Sequence, residues 1–300
     1  MKKARIALAI GIVCISIFPI LVKLNLTPGI ISAFYRMLFS LLLLLPYVLI
    51  TKQLKIPNIK TAILAITCGI IFGSDVAIWN IAIQESTATQ ASLLTNLSPV
   101  WLGIFSLLFV KDKPKNNFWI GTVIAVFGMM MLVGFSVFRN LDFDLPFSFG
   151  VLSGVLYAIY MLVSKEVLKT MNVISFMTIS LMASSLHLGV VSYALDEPFT
   201  GFSNAGWLVL IMQAVLCQLL AWLLISYATQ HMRATRVSLS LLGQGILASI
   251  FAWIFIDETI SLQMVLGGFI LLFGIRITFY EKPIAPAFKM NKLKRFHNNA

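Results

Sequence analysis

The chain has 300 residues and a mass of 33.3 kDa, a length at which soluble chains fold as one or two domains. Its composition excludes a soluble protein, because 59% of the residues are hydrophobic and only 11% are charged, against roughly 45–50% and about 25% in soluble domains. The mean hydropathy of +0.95 therefore predicts a polytopic membrane protein. Cys14, Cys68 and Cys217 lie inside apolar runs without metal-ligand spacing, so we expect buried apolar side chains there.

Ten apolar segments each have about the 20 residues that a membrane helix needs. They comprise residues 5–23, 29–50, 60–82, 88–110, 117–137, 147–164, 172–194, 206–227, 236–256 and 262–280. None alternates with the period of two that barrel strands show, so we predict an all-α fold with ten transmembrane helices. No small-x-small cleavage site lies at the end of the first segment, just before Lys23, and we therefore predict that this segment is an uncleaved helix and not a signal peptide.

The basic residues behind the net charge of +11 are distributed as the predicted topology requires. We therefore do not interpret them as a nucleic-acid-binding patch. When the N-terminus is placed in the cytoplasm, nineteen of the 22 Lys and Arg residues fall on the cytoplasmic side, all but Lys23, Arg36 and Arg139. The positive-inside rule then predicts an inner (plasma) membrane protein with both termini in the cytoplasm. Residues 286–300 form a predicted basic cytoplasmic tail, which anionic lipid headgroups would attract.

The chain repeats itself at an offset of 146 residues. This offset aligns the glycines of the fifth and tenth segments, Gly121 with Gly267 and Gly128 with Gly274. We therefore predict two five-helix halves, residues 1–140 and 147–285, and because five is odd, the second half enters the membrane from the opposite side. Such an inverted repeat is common in secondary transporters, whose pathway lies between the halves. The alternative is a duplication that only builds a stable bundle.

The third and fourth segments contain a recognisable pattern. The stretch GSDVAIWNIA at residues 73–82 is followed by TATQASLL at 87–94 and NLSP at 96–99. Together with the five-plus-five duplication, it resembles the EamA-type transporters of the drug/metabolite transporter superfamily. The resemblance covers nearly the whole chain and implies a ten-helix carrier, without indicating a substrate among amino acids, nucleotide derivatives, sugars, other metabolites and drugs. The turn VKDK at residues 110–113 departs from the Gly-Glu-Arg-like turn that this family often has.

Asp75 is the only acidic residue well inside a predicted span, where an ionised group costs roughly 2.5–3.5 kcal/mol. Trp79 follows one helical turn later on the same face. Because burial favours the neutral form of a carboxyl group, Asp75 is a candidate proton site. Binding of a substrate ammonium group or of Na⁺, and a structural pairing with Arg36, are the alternatives. Arg36 is in turn a candidate partner for Asp75 or for a substrate carboxylate, unless it snorkels to the outer interface.

Uncharged polar residues complete the candidate substrate site, namely Asn80, Asn96, Gln218 and Gln244. Asn96 lies three residues before Pro99, which removes one backbone hydrogen bond and frees a carbonyl group. Gly245 aligns with Pro99, so we expect the region of Gln244 to face the region of Asn96 across the repeat axis. The aromatic residues that are candidates for lining a pocket are Trp79, Trp101, Tyr157, Tyr160 and Trp222. Helix packing and interhelical hydrogen bonding are the alternatives.

The sequence contains no nucleotide-binding loop, metal pattern or nucleophile–base arrangement, so we expect no cofactor, no metal and no enzyme activity. It predicts a secondary carrier of a small molecule, preferably an exporter of amino acids or related compounds, with H⁺ or Na⁺ as the candidate coupling ion. Uptake or exchange of a larger metabolite, a nucleotide-like compound or a drug is the alternative. A channel or a membrane-embedded enzyme is less favoured, and the sequence indicates no oligomeric state.

Overall fold

The computed structural model describes residues 2–85, 94–111, 113–134, 144–256 and 259–280, and every regular element in these ranges is helical. Eight described spans, three of which join consecutive helices, are long and apolar enough to cross a membrane. Two shorter apolar helices, Ser98–Phe109 and Leu262–Thr278, occupy the positions of the predicted fourth and tenth spans. The predicted all-α architecture is therefore confirmed.

The helices of the N-terminal half are α1 (Lys2–Ile15), α2 (Phe18–Lys23), α3 (Gly29–Thr51), α4 (Ile59–Glu85), α5 (Ser98–Phe109) and α6 (Asn116–Val133). The predicted first span is interrupted between α1 and α2, where Pro19 lies in the first turn of α2 and its missing N–H costs no hydrogen bond. Residues 86–93, which include the start of the predicted fourth span, lie outside the described residues, as do Asp112, Arg139 and the tail over residues 286–300.

The C-terminal half comprises α7 (Leu145–Val167), α8 (Val173–Ala194), α9 (Asn204–Met212), a π-helical segment (Gln213–Leu220), α10 (Ala221–His231), α11 (Ala234–Leu241), α12 (Gln244–Ile256) and α13 (Leu262–Thr278). Helix α9, the π-helical segment and α10 continue one another as a single apolar span. Several helices begin at a residue whose side chain accepts a hydrogen bond from the first turn, such as Asp144 before α7 and Asn172 before α8. The sequence thus fixes where these helices begin.

The fourth span of each half is broken at an equivalent place. A turn at Asn96–Leu97 precedes α5, and a turn at Leu242–Gly243 separates α11 from α12. The two turns are 146 residues apart, which is the offset of the sequence repeat. Pro99 in the first turn of α5 and the glycines around Gln244 weaken a continuous helix at these positions. In both halves a helix, α5 or α12, therefore begins directly after the equivalent turn.

Helices α6 and α13 cross at their glycines. A Cβ atom on Gly121 would lie 2.6 Å from Gly274 O, and one on Gly128 would lie 2.8 Å from Gly267 O. The first glycine of each helix meets the second glycine of the other, so the two helices run antiparallel. The contacts are equivalent because the glycines correspond at the repeat offset. Small residues allow the two backbones to approach closely without a hydrophobic driving force, as in other membrane helix pairs.

The distribution of polar and apolar side chains is the reverse of that in a soluble protein. Buried polar side chains include Arg36, Asp75 and Asn80, which are exposed by 1%, 5% and 0%. Large apolar side chains such as Ile50 and Phe109 are 81% and 78% exposed. This arrangement suits a bundle surrounded by lipid, in which polar groups inside the membrane face the protein interior.

Candidate functional site

A cavity of about 50 Å³ lies where helices of the two halves meet. Its walls come from α1, α4, the turn before α5, α5, α7, α10, α11, the turn after α11, and α12. Five of the nine predicted site residues line it, namely Asp75, Trp79, Asn96, Trp222 and Gln244.

Helix α4 contributes the largest share of one wall through a single face. Phe72, Asp75, Val76 and Trp79 line the cavity, and their spacing of three and four residues places them on one side of the helix. An adjacent side packs against α8, where Ser184 Oγ donates a hydrogen bond to Gly69 O at 2.5 Å. This close packing fixes the rotation of α4 and directs Asp75 toward the cavity.

The broken helices bring the predicted Asn96 and Gln244 regions to the same cavity. Thr95, Asn96 and Ser98 line it from the first break, while Leu242 and Gln244 line it from the second. Discontinuous helices at the repeat interface are a frequent feature of transporter binding sites, because their ends leave backbone polar groups available to a solute. The expected meeting of the two regions is therefore observed.

The carboxylate of Asp75 has one hydroxyl partner. Ser153 Oγ on α7 donates a hydrogen bond to Asp75 Oδ1 at 2.6 Å. Among the described residues the only ion pair joins Lys169 and Glu166, so Asp75 is not ion-paired with Arg36 in this conformation. A buried carboxylate beside a cavity and without a counter-ion is able to take up a proton or a cationic group.

Aromatic rings form the wall opposite the broken helices. The ring centroid of Phe72 lies 4.5 Å from that of Trp222 and 4.7 Å from that of Tyr160. Tyr157 contacts Trp222 at 6.1 Å between centroids. These distances lie in the usual range for packed aromatic pairs, so the rings stabilise one another while Phe72, Tyr157 and Trp222 present apolar surface to the cavity.

Several hydrogen-bond donors at the cavity have no partner among the described residues. They are Trp79 Nε1, Trp222 Nε1 and Ser238 Oγ, on side chains that are exposed by only 8%, 4% and 1%. Buried polar groups are usually paired, because leaving one unpaired costs about as much as a lost hydrogen bond. Three side chains that line the cavity therefore carry donors that are unused in this conformation, beside the carboxylate of Asp75.

Arg36 lies behind the cavity wall and not in it. Its guanidinium stacks over the ring of Phe18 at 4.0 Å, and Phe18 in turn packs against Trp79 at 5.2 Å between ring centroids. Arg36 Nη2 donates a hydrogen bond to Cys217 O at 3.2 Å, whereas Nε and Nη1 have no partner in the described part of the chain. Although it forms no ion pair with Asp75, its positive charge still interacts electrostatically with that carboxylate.

The π-helical segment explains how α3 accommodates its polar side chains. Ser32, Arg36 and Ser40 are spaced four residues apart and form one polar row along α3. Ser32 Oγ donates to Gln213 Oε1 at 2.8 Å, and Ser40 Oγ donates to Ala214 O at 2.9 Å. A π-helix shifts backbone carbonyls out of the regular α-helical pattern and often marks a functional region. Sequence reasoning missed this element, since no proline or glycine occurs within it.

The remaining predicted residues, Asn80, Gln218 and Pro99, are close to the site but do not line the cavity. Asn80 Nδ2 donates to Gly29 O at 3.0 Å and ties α4 to the start of α3. Gln218 is buried in the π-helical segment, with Oε1 unpaired among the described residues. Pro99 occupies the first turn of α5 and helps to create the break.

Sequence reasoning also missed Ser153, Thr95, Ser98 and Ser238 as polar residues of the site. A small hydroxyl side chain in an apolar span is too common to indicate a site by itself. One signal was present for Ser238, because Ser238-Leu239 matches Ser92-Leu93 at the repeat offset. Residues 92 and 93 lie outside the described residues, so the structure does not locate that counterpart.

Comparison with known proteins identifies the family to which this arrangement belongs. The model of the EamA-like transporter family matches the chain twice, over residues 2–134 and 145–280. The chain belongs to the EamA-like transporter family. As a member of it, the chain is a transporter and a multi-pass membrane protein, as the sequence predicted.

Individual relatives support the same assignment. The uncharacterized transporter YdfC of Bacillus subtilis is 26% identical, over 89% of this chain and 86% of that protein. An uncharacterized transporter of Archaeoglobus fulgidus is also 26% identical, over 83% of this chain and 86% of that protein. A solved crystal structure matches with a TM-score of 0.76 at 13% sequence identity, over 93% of this chain and 97% of that chain. At this identity the structural match shows the fold alone.

Proposed function

We propose that this EamA-like transporter is a secondary carrier that exports amino acids or related small zwitterions across the inner membrane by alternating access. The observation that carries the proposal is the cavity between the two halves, which combines the Asp75 carboxylate with unused hydrogen-bond donors. A carboxylate complements an ammonium group, and donors complement a carboxylate. An amino acid supplies both groups within a small volume.

Alternating access requires that the cavity open to one side at a time. The structure describes one conformation, and we propose that the cavity between the halves widens when the carrier loads its substrate. The broken fourth spans and the close antiparallel crossing of α6 and α13 are the elements at which the halves would move against each other. Each half would then act as a rigid body around the site.

The proposed orientation places the basic loops and both ends of the chain in the cytoplasm, because Lys and Arg concentrate there. Orientation does not determine the direction of flux. Export is our preferred direction, with binding of a proton to Asp75 as the proposed coupling step. Asp75 would bind the substrate ammonium group while it is ionised and take up the proton after the substrate has left, and Na⁺ in place of the proton is the alternative.

A second candidate function is uptake or exchange of a larger metabolite, such as a nucleotide-like compound or a drug. The aromatic wall of Phe72, Tyr157 and Trp222 favours it, since stacked rings accommodate planar or cationic solutes. This candidate requires a much larger cavity in the substrate-loaded carrier than in the conformation described. Nucleotide-like compounds and drugs are therefore assayed beside the amino acids in the counterflow experiment.

The first prediction concerns Asp75. The wild-type chain, reconstituted in lipid vesicles, is expected to show saturable counterflow of one or more labelled amino acids that responds to a pH gradient. Asp75→Asn is expected to lower net flux at least tenfold and to abolish the response to the pH gradient, because an amide cannot exchange a proton. Asp144→Asn is the matched control, since Asp144 caps α7 outside the cavity and Asn is an equally good capping residue.

Three results would contradict the proposal at different levels. Unchanged flux and pH response in Asp75→Asn would exclude proton coupling through this residue. No counterflow of any amino acid, with counterflow of a nucleotide-like compound or a drug, would replace the preferred substrate class by the second candidate. Flux without saturation or counterflow for every solute would indicate a channel instead of a carrier.

A further inference from the structure

We infer that Trp79 Nε1, Trp222 Nε1 and Ser238 Oγ donate hydrogen bonds to the carboxylate of the substrate, while the Asp75 carboxylate faces its ammonium group. These three donors are called the acceptor site below, because the group that they bind is a hydrogen-bond acceptor. This inference rests on the proposed carrier function and specifies which atoms would recognise an amino acid. It also reassigns the role that the sequence suggested for Arg36, whose guanidinium lies behind Phe18 and outside the cavity.

The first argument is the unmet hydrogen-bonding capacity of these three atoms. All three side chains line the cavity, are more than nine-tenths buried, and have no partner for these atoms in the described part of the chain. An indole N–H is a donor only, so it requires an acceptor on the solute. Two indoles and one hydroxyl at one cavity thus specify a group that accepts several hydrogen bonds, which is the property of a carboxylate.

The second argument is the direction of the half-helices. Ser98 is the first residue of α5 and Gln244 is the first residue of α12, and both line the cavity. The N-terminal ends of two helices, of 12 and 13 residues, therefore border the same space. Such ends carry a partial positive charge and favour anionic groups. They support the unpaired donors in selecting an acceptor with negative charge.

The third argument is the spacing between the two poles of the site. Trp79 follows Asp75 by four residues on α4, which places their Cβ atoms about 5–6 Å apart on one helix face. An α-amino acid carries its ammonium and carboxylate groups on one carbon atom, so both poles are within reach of one small molecule. The aromatic rings of Phe72, Tyr157 and Trp222 would then contact the side chain of the amino acid.

The experiment measures binding to the purified full-length protein in detergent, independently of transport. The twenty standard L-amino acids are screened by calorimetry, and the tightest is compared with its decarboxylated amine. Trp222→Phe keeps an aromatic ring at this position but removes the indole N–H, and Ser238→Ala removes the hydroxyl. Each variant is expected to weaken amino-acid binding at least tenfold and to change amine binding less than twofold. Ser238→Thr restores a hydroxyl and is expected to recover most of the affinity.

Trp253→Phe is the matched control, because Trp253 is 54% exposed on α12 and outside the cavity. Equal weakening of amino acid and amine, or no weakening of either, would overturn the acceptor site while leaving counterflow and the carrier proposal intact. Failure of all twenty amino acids to bind would overturn it together with the preferred substrate class. Selective weakening in a protein that shows no counterflow would support the acceptor site and reject the carrier mechanism.

Discussion

At the scale of single residues, Arg36 is the most costly side chain in the bundle. It is 1% exposed, donates to one carbonyl and stacks on Phe18, while two of its nitrogens have no partner among the described residues. A buried charge with so few partners destabilises the protein that contains it. We propose that this cost is tolerated because Arg36 provides a positive potential next to Trp79.

The second prediction follows from this cost. Arg36→Met, which replaces the charge by an apolar chain of similar length, is expected to raise the unfolding midpoint by about 2–4 °C, corresponding to about 1 kcal/mol. Amino-acid counterflow is expected to fall at least tenfold in the same variant. Both quantities are measured on the purified protein, by thermal unfolding and after reconstitution in vesicles.

Arg276→Met is the control for Arg36→Met. Arg276 also stacks on an aromatic ring, at 4.6 Å from Tyr280, but it is exposed at the end of α13. Its removal is expected to change neither the midpoint nor the flux. A marked loss of stability in Arg36→Met would show instead that the hydrogen bond to Cys217 O and the contact with Phe18 outweigh the burial of the charge.

The sequence predicted part of the residue-scale site. Asp75 and Trp79 were recognised because an acidic residue inside a span is rare and because a four-residue spacing fixes a shared helix face. Arg36 was recognised as a charged residue inside a predicted span, but its burial and its separation from the cavity by Phe18 were not predictable. Composition indicates the depth of a residue in the membrane, whereas the rotation of each helix is set by packing against its neighbours.

At the scale of elements, the two breaks in the fourth spans differ in how visible they are in the sequence. Pro99 indicates the first break, because proline cannot donate the hydrogen bond that a continuous helix needs. The second break has no proline and was not predicted, since the alignment of Gly245 with Pro99 indicated only that the two regions face each other. The π-helical segment Gln213–Leu220 has neither signal, since its geometry depends on the polar row of α3 packed against it.

The third prediction concerns the crossing of α6 and α13, which offers two adjacent glycines with different surroundings. A Cβ on Gly267 would lie 2.5 Å from Leu132 N and 2.8 Å from Gly128 O, both backbone atoms. Gly267→Ala is therefore expected to destabilise the protein by about 1–3 kcal/mol through overpacking. The measurement is the thermal unfolding midpoint of the purified protein, together with counterflow in vesicles, which is expected to fall as the halves separate.

Gly268→Ala is the control because the added methyl group would meet only side-chain atoms of Ile246, at 3.6 Å or more. That distance is ordinary van der Waals contact, and alanine favours the helix over glycine by about 0.5–1 kcal/mol. The variant is expected to be at least as stable as the wild type. Equal midpoints for Gly267→Ala and Gly268→Ala would mean that the two helices are not held at this close distance.

At the scale of the whole molecule, hydrogen bonds join loops to helix ends that the predicted topology places on the same side of the membrane. On the side of the basic loops, Lys55 N donates to Ser175 Oγ at 2.8 Å. At the opposite end of α3, Tyr35 Oη donates to Phe199 O at 2.6 Å. The loop around Lys55 and the loop that contains residue 201 are equivalent at the repeat offset, yet they lie at opposite ends of the bundle. An inverted repeat requires this relation.

The last prediction tests this relation and the proposed orientation together. Single cysteines are introduced at exposed positions, as Lys55→Cys, Lys169→Cys or Thr200→Cys, in a chain whose three natural cysteines are replaced by alanine. An impermeant maleimide applied to intact cells is expected to label only the Thr200→Cys variant, and the other two after permeabilisation. Lys169→Cys serves as a second reporter for the basic side, because Lys169 follows α7 at the same end of the bundle.

Labelling of Lys55→Cys and Thr200→Cys from one side would exclude the inverted repeat, whereas the reverse pattern would retain the repeat and invert the orientation. The charge distribution makes the reverse pattern the unfavourable one, since Lys and Arg are retained on the cytoplasmic side during insertion.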